Sequence, residues 1–342
     1  MTSAFYRHHK VGWLAVLLCV LSAITALSRE TVPLDNWRFA LSEATNAPAA
    51  TGFDDAAWEN VKLPHTWNTF DGELGDKHYF RGTGWYRTHF KLPPEAAHQR
   101  VLLEFDGASL VAEVFVNGQR LGEHTGGFAR FRFDATDAVN FSGDNLVAVR
   151  VNNARTDFIP RNGDFTIFGG LYRPARILLT SPAHIATLDH ASPGVFLTTT
   201  NVSTANADVA ARIELANDAA KNFPGSVRVT VNSPAGDKII SKSEKVAISA
   251  MGATEIRLTF SIPHPHLWNG VADPFVYEAT VELLDRNGKI VDSVSQPLGL
   301  RAFEVKPDAG FFLNGAHVPL HGVNRHQTWP DKGWAIGAND MK

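Results

Sequence analysis

The sequence predicts an all-β protein in which two β-sandwiches follow one another and a third unit begins near the carboxyl end. Short runs rich in Val, Ile and Phe alternate with polar residues, as half-buried strands do. The pairs Asn117-Gly118 and Asn314-Gly315 tolerate the positive φ angles that two-residue hairpin turns require. Between Trp37 and Thr180 hardly a stretch repeats an apolar residue every three or four positions, so helices are not expected there.

The first sandwich is assigned to residues 29–181. Val101–Phe105 and Val114–Val116 each lead into a turn, and the residues from Leu146 to Val151 alternate so that every second side chain shares one face. Strands at this spacing are typical of a sandwich or a jelly roll. The boundary is placed at Ser181-Pro182, after the apolar run that closes the domain.

The second sandwich is assigned to residues 182–300, where the strand pattern continues with roughly the strand number of an immunoglobulin-like domain. Thr204–Ala220 has two interpretations. Val209 and Ile213 are four apart, as in a helix, but Val209, Ala211, Ile213 and Leu215 also alternate as in a strand. The strand is preferred because β-branched residues continue the alternation up to Asn217.

The pattern changes after Gly299, so residues 301–342 are assigned to a third unit. Phe311–Gly315 is predicted to be a short hairpin with an Asn-Gly turn, and Val318–Val323 is predicted to be one buried strand. A lone strand of a parallel sheet leaves backbone groups without partners. We therefore expect a poorly anchored tail with rapid amide exchange beyond about residue 315.

The first 28 residues have the order of a secretory signal peptide. A polar start with Arg7 and Lys10 precedes an apolar run, and small residues follow before Arg29, which places cleavage after Ser28. The alternative is a membrane anchor, but the run is shorter than the roughly 20 residues that a spanning helix needs. We expect export to the periplasm or the medium, with no membrane contact after cleavage. A lipid anchor at Cys19 is disfavoured because Leu18 precedes it.

Charge and cysteine content exclude several classes of function. Lys and Arg number 32 against 35 Asp and Glu, a formal net charge of −3, so nucleic acid is not an expected partner. Cys19 is the only cysteine and lies in the predicted signal peptide. The mature chain therefore offers no disulfide, thiol nucleophile or cysteine-ligated zinc.

Two polar clusters are candidates for a functional site. Asp157, Arg161 and Asp164 precede Gly169-Gly170, where the backbone can approach a ligand and polar groups suit sugar hydroxyls. The alternative is a surface turn with an ion pair. The second cluster comprises His321, Asn324, Arg325 and His326, at the end of the predicted last strand; no third ligand has metal-binding spacing there.

Six motifs in order across nearly the whole mature chain resemble the N-terminal half of glycoside hydrolase family 2, most closely its β-galactosidases. They are Leu63-Pro64-His65-Thr66-Trp67-Asn68, Tyr79–Arg87, Val114–Gly118, Gly163–Thr166 with Gly169–Arg173, Gly310–Gly315 and His321–His326. Any one of these motifs alone would be a weak signal. The resemblance implies a jelly-roll sugar-binding domain, an immunoglobulin-like sandwich and the truncated first strand of a (β/α)₈ barrel.

The resemblance also implies a substrate and its contacts. The family hydrolyses terminal β-glycosides with retention of configuration, here a β-galactoside. Asp164 matches the family aspartate that contacts galactose hydroxyls and a sodium ion, and a carboxylate suits both. His326 matches the barrel histidine that contacts a substrate hydroxyl, with Asn324 and Arg325 shaping the same strand end. Magnesium is implied only for the full-length enzyme, whose oligomeric state stays open.

One departure from the family pattern decides what these 342 residues are expected to do. Retaining glycosidases need two carboxylates roughly 5 Å apart. The family acid/base Glu follows an Asn, but no Asn here precedes a Glu, and the sequence ends about one strand into a barrel of around 250 residues. We expect no catalytic residue within this chain and no hydrolysis by it alone. The alternatives are a carbohydrate-binding module or remnant, or a β-glucuronidase or β-mannosidase of the same architecture.

Overall fold

A computed structural model describes residues 29–72, 79–154 and 166–341 of the protein. The predicted signal peptide, Cys19 and the cluster of Asp157, Arg161 and Asp164 lie outside these residues. The described residues form strands and three short 3₁₀ helices and contain no α-helix, which confirms the predicted all-β class. Among them no helix is long and apolar enough to cross a membrane. The 3₁₀ helices are Ala47–Ala49, Pro94–His98 and Ala338–Met341.

The first sandwich contains ten strands. They are β1 (Glu30–Pro33), β2 (Asn36–Leu41), β3 (Glu59–Lys62), β4 (Thr83–Lys91), β5 (Arg100–Phe105), β6 (Val111–Val116), β7 (Gln119–Thr125), β8 (Phe131–Asp134), β9 (Asp144–Asn152) and β10 (Ala175–Thr180). A six-stranded sheet has the order β3-β2-β4-β9-β6-β7, and a four-stranded sheet has the order β1-β10-β5-β8. All the pairings are antiparallel.

The core of this domain lies between the two sheets and includes Trp37, Tyr86, Phe105, Val149 and Ile177. The opposite face of the larger sheet is covered as well. Trp85, Phe115 and Ala148 pack there against Ala49. Arg87 is buried on that face and donates to Asp55 Oδ2 at 2.7 Å. Because both faces of the sheet are covered there, Thr83–Arg87 of β4 are all buried instead of alternating between buried and exposed.

The second sandwich contains eight strands. They are β11 (Ala183–Ile185), β12 (Val195–Thr200), β13 (Asn206–Asn217), β14 (Phe223–Asn232), β15 (Lys238–Ile248), β16 (Gly252–Pro263), β17 (Tyr277–Asp285) and β18 (Ile290–Leu298). In one sheet β13 pairs with β16 on one edge and with β11 and β12 on the other; the second sheet has the order β15-β14-β17-β18. The strand predicted within Thr204–Ala220 is confirmed. Every second side chain from Ala207 to Leu215 lies in the core.

Ion pairs and hydrogen bonds join the two sandwiches. Arg132 on β8 donates to the main-chain oxygens of Thr187 and Ser192, at 2.8 and 2.9 Å. The guanidinium of Arg100 on β5 lies 3.2 Å from the carboxylate of Asp218. These contacts join β5 and β8 of the first domain to the loops that follow β11 and β13 of the second.

The third unit begins as a hairpin of β19 (Phe303–Lys306), β20 (Gly310–Leu313) and β21 (Ala316–His317). The predicted Asn-Gly turn is confirmed, with φ of 50° at Asn314 and 84° at Gly315. The side chain of Asn314 donates to Trp268 O at 3.0 Å, which attaches the hairpin to the second sandwich.

The predicted buried strand at Val318–Val323 is wrong. These residues form no strand, and Leu320 and Val323 are 73% and 93% exposed. Among the described residues the only backbone bond of this stretch runs from Val318 N to Phe311 O, at 2.9 Å. An apolar run becomes a buried strand only when neighbouring strands cover it, and no strand of the described chain pairs with this one.

Candidate functional site

The sequence-predicted site residues fall in two places. Asp164 lies outside the described residues, so its predicted contacts and sodium ligation stay predictions. Asn324, Arg325 and His326 are exposed in the irregular segment after the hairpin. No hydrogen bond or ion pair joins these three side chains to another described residue. Nor do the described ranges contain a group of three His, Cys, Asp or Glu side chains that could hold a metal ion.

The chain on both sides of residues 155–165 is held by one buried asparagine pair. The Oδ1 of Asn68 accepts hydrogen bonds from Gly169 N at 2.8 Å and from Asn153 Nδ2 at 3.2 Å. Asn153 Nδ2 also donates to Ile167 O at 3.0 Å. Asn68 and Asn153 are at most 1% exposed. Asn153 and Ile167 flank the stretch that contains Asp164, so this pair holds the described backbone on both sides of it.

Further contacts surround this asparagine pair. The Tyr79 hydroxyl accepts from Ile167 N at 2.9 Å and from Arg81 Nη2 at 2.5 Å. Asp71 accepts from Asn68 Nδ2 at 3.1 Å and, through its other oxygen, from Phe80 N at 2.7 Å. The motifs that contain Asn68 and Tyr79 are separated along the sequence but meet here. Their common structural role is therefore to build one end of the first sandwich.

The pair Gly169-Gly170 has a packing role that the sequence did not reveal. A Cβ on Gly169 would lie 2.0 Å from Cζ2 of Trp67, and a Cβ on Gly170 would lie 2.5 Å from His65 O. Gly170 also has a φ of 130°, which side chains rarely allow. The groups that approach this backbone closely are thus an indole ring and a peptide oxygen of the same domain.

His65 and Tyr86 form a neutral buried pair beside this backbone. His65 Nδ1 lies 2.8 Å from the Tyr86 hydroxyl. Burial lowers the pKa of His65 from 6.5 to about 4, and burial raises the pKa of Tyr86 well above its usual value. At neutral pH both groups are therefore uncharged and act as hydrogen-bonding groups. His65 lies in the motif Leu63–Asn68, but nothing in the neighbouring sequence distinguishes it from an exposed histidine.

The segment 329–341 docks on the same end of the first sandwich. The indole of Trp334 contacts three rings, with centroid distances of 5.4 Å to Phe128, 5.3 Å to Phe168 and 5.5 Å to Tyr172. The sequence predicts a poorly anchored tail here and gives no sign of this contact. Residues 319–332 are exposed, as that expectation requires, whereas Gly333 and Ala335 are buried beside Trp334.

An open groove of about 850 Å³ runs between this segment and the sandwich. Arg130, Arg173 and Asp106 line one wall, and Gln327 and Trp334 lie on the other. Guanidinium groups donate to hydroxyl or carboxylate oxygens, and a carboxylate accepts from hydroxyls. Arg130 donates to Asp106 Oδ1 at 2.7 Å, so part of this capacity is used within the groove wall. The remaining donors and the rings could contact a polar ligand.

Comparison with protein-family models gives two matches along the chain. The model described as "Glycosyl hydrolase 2 galactose-binding domain-like" matches residues 74–164, within the first sandwich. The model described as "Glycosyl hydrolases family 2" matches residues 190–301, which cover most of the second sandwich.

Individual proteins match over most of the chain. A β-glucuronidase of Bacteroides fragilis is 39% identical over 338 residues, covering 98% of this chain and 47% of its own length. A β-galactosidase of Thermoanaerobacter pseudethanolicus is 30% identical over 305 residues, covering 88% of this chain and 39% of its own length. The crystal structure of a Bacteroides uniformis β-glucuronidase superposes with a TM-score of 0.87 at 34% identity, covering 90% of this chain and 37% of that one. The chain spans less than half the length of each of these proteins.

Proposed function

The chain belongs to glycosyl hydrolases family 2, and from this premise we propose that it forms the non-catalytic front part of an exported, retaining exo-β-glycosidase. The observation that carries the proposal is the succession of two sandwiches, each matched by a domain model of the family. In this proposal the (β/α)₈ barrel follows, and its two carboxylates perform the hydrolysis. Residues 1–342 alone are then inactive.

The proposed roles of individual residues follow from the motifs. Asp164 and His326 contact the hydroxyls of the terminal sugar, and Asn324 and Arg325 shape the strand end that carries His326. The asparagine pair Asn68 and Asn153 supports the assignment of Asp164, because it anchors the backbone on both sides of residues 155–165. The exposure of residues 324–326 is consistent with a segment that the following barrel strands would cover.

Two substrate classes are proposed. A terminal β-glucuronide is supported by the names of the Bacteroides fragilis relative and of the Bacteroides uniformis structure. A terminal β-galactoside is supported by the stretch from Gly163 to Arg173 and by the name of the Thermoanaerobacter relative. The two sugars differ in the configuration at C4 and at C6, where a glucuronide carries a carboxylate. A cation or hydrogen-bond donor near C6 would favour the glucuronide.

The first experiment reads the gene beyond codon 342 for an open frame containing an Asn-Glu pair and a second strand-end Glu. The encoded protein is then assayed with p-nitrophenyl β-glucuronide, β-galactoside and β-mannoside, next to the 342-residue chain. Hydrolysis by the longer protein, with none by the shorter chain, supports the proposal and identifies the sugar. A stop codon after Lys342 would instead favour a carbohydrate-binding remnant. Hydrolysis by the 342-residue chain would contradict the proposed division of roles.

A further inference from the structure

The segment 329–341 is a compact turn that holds itself together. Gly333 N donates to Trp329 O at 2.9 Å, and Ala335 N donates to Lys332 O at 2.8 Å. Gly337 N donates to Asp340 Oδ2 at 2.9 Å, and Lys332 forms an ion pair with the same side chain. These bonds are internal to the segment. Among the residues that the structure describes, none of the hydrogen bonds joins it to the first sandwich.

What attaches the turn to the sandwich is an aromatic contact. Trp334 inserts into the aromatic socket, which we define as Phe128, Phe168 and Tyr172, at centroid distances between 5.3 and 5.5 Å. All three ring pairs are tilted by 45–57° and lie within the distance range of favourable aromatic contacts. Among the described residues, Trp334 is the ring of the turn that contacts the first sandwich.

Two of the three rings of the aromatic socket are buried in the sandwich. Phe168 is 1% exposed and Tyr172 is 4% exposed. The Tyr172 hydroxyl donates to Gly127 O, and the residue before Phe168 is held by the Tyr79 hydroxyl at 2.9 Å. The fit is also close at Gly333, where a Cβ would lie 2.3 Å from the Phe168 ring. The buried rings of Phe168 and Tyr172 therefore hold the indole and the adjacent Gly333 against the sandwich.

The docked turn limits where His326 can lie. Trp329, the first residue of the turn, is three residues after His326, so the two Cα atoms are at most roughly 11 Å apart. Without the docked turn, the next point that attaches the chain is Val318 N on Phe311 O, eight residues earlier. Eight extended residues span roughly 28 Å, so attachment at Val318 alone would let His326 move through a large volume.

We propose that Trp334 is a positioning residue that fixes the segment carrying His326 against the first sandwich through Phe168 and Tyr172. Its role in this proposal is to set where His326 stands. The assignment of His326 as a sugar contact rests on the function proposed above, whereas the anchoring by Trp334 does not.

The anchoring is tested by amide hydrogen exchange on the 342-residue chain with three variants. Trp334→Ala removes the indole, Trp334→Phe keeps a ring, and Trp329→Ala is the matched control in the same turn, since Trp329 is 46% exposed and has no ring contact with another described residue. We expect Trp334→Ala to speed exchange at Gly333, Ala335 and Gly337 at least tenfold, with the core amides of β9 and β13 unchanged. The other two variants should stay within about twofold of the parent.

Unchanged protection in Trp334→Ala, or an equal loss in Trp329→Ala, would overturn the anchoring. If Trp334→Ala also loosens the β9 amides, Phe128→Ala gives the deciding measurement. Phe128 is 58% exposed, so its loss opens the socket and leaves the sandwich core in place. Faster exchange at Gly333 in that variant supports the proposal, and parental exchange contradicts it.

The positioning role is tested in the barrel-bearing enzyme with the p-nitrophenyl glycoside that it hydrolyses. We expect Trp334→Ala to lower kcat/KM at least tenfold, Trp334→Phe to restore most of it and Trp329→Ala to leave it unchanged. Full activity of Trp334→Ala despite faster exchange would overturn the positioning role. Absence of activity in the parent enzyme on every glycoside would instead defeat the proposed function, and the exchange experiment would still decide the anchoring.

Discussion

The guanidinium of Arg29 lies 3.0 Å from the carboxylate of Asp292, and this ion pair joins the start of the first sandwich to a strand of the second. Asp292 is fully buried on β18. Its Oδ2 accepts from Ile185 N at 2.7 Å, while Arg29 Nη2 donates to Ile185 O. Two residues 263 positions apart in sequence thus share one buried site at the domain junction.

Replacing Arg29 with Ala should destabilise the junction. The substitution leaves a buried carboxylate without its cation, which typically costs about 3 kcal/mol. The urea midpoint of the 342-residue chain, followed by fluorescence, measures the loss. Arg257→Ala is the matched control, because Arg257 is exposed in its pair with Glu255 and should leave the midpoint unchanged. Equal midpoints for the two variants would argue against a structural role for the Arg29–Asp292 pair.

The mature protein should begin at Arg29. Cleavage after Ser28 keeps the guanidinium that pairs with Asp292, whereas cleavage one residue later would remove it. Intact-mass measurement of protein recovered from the periplasm or medium checks this directly. Ala26→Arg should block processing, because the charge disrupts the small-residue cleavage site, while Thr25→Arg is a neighbouring control outside that pattern. A mature chain that starts elsewhere would refute the predicted site.

Acidification should destabilise the first sandwich through His65. Its pKa is lowered to about 4 in the folded protein, so the unfolded chain binds the proton at higher pH. The stability contributed by neutral His65 is complete above about pH 6.5 and is lost as the pH falls toward 4. The full difference is about 3 kcal/mol.

Unfolding free energies at pH 7.5 and pH 4.5 test this dependence. His65→Gln should reduce the difference between the two pH values by about 2 kcal/mol, since glutamine does not titrate. His190→Gln is the control, because the side chain of His190 is 98% exposed and should not alter the difference. A parental pH dependence in His65→Gln would exclude His65 as its source.

Gly169→Ala should displace Trp67 from its packed position. The new Cβ would lie 2.0 Å from the indole, and overpacking of this kind typically costs about 1–3 kcal/mol. Tryptophan emission and the thermal midpoint report the change. The control is Gly52→Ala, where a Cβ meets nothing within 4 Å, so both readouts should match the parent. Normal stability of Gly169→Ala would mean that the indole relaxes without cost.

Asn68→Leu should release the chain on both sides of residues 155–165. The substitution removes the acceptor for Gly169 N and Asn153 Nδ2 and the donor to Phe80 O, leaving buried polar groups unpaired at about 1–3 kcal/mol each. Limited proteolysis should then cut between residues 154 and 166 faster than in the parent. Asn60→Leu is the control, because Asn60 is exposed on β3, and this variant should be cut at the parental rate. Equal cutting in both variants would show that the asparagine pair does not hold this region.

Local sequence patterns were sufficient for much of the fold. The alternation from Ala207 to Leu215 predicted a strand, and the Asn-Gly pairs at 117 and 314 predicted hairpin turns. Both predictions depend only on local sequence, because alternation along a strand and positive φ angles in a turn are properties of adjacent residues. The same patterns separated two sandwiches near Ser181. The family followed from six ordered motifs, although their structural roles did not.

Pairings between distant residues were decided by the tertiary structure alone. Asn68 meets Asn153 and Gly169 across 85 and 101 positions, and Trp334 finds its socket of three rings more than 160 residues away. Val318–Val323 has the composition of a buried strand but lies exposed, because burial is a property of the neighbours and not of the segment. The sequence by itself determined most of the strands and the Asn-Gly turns, since those choices are local. Which side chains share a site depends on contacts that exist only once the two sandwiches have folded.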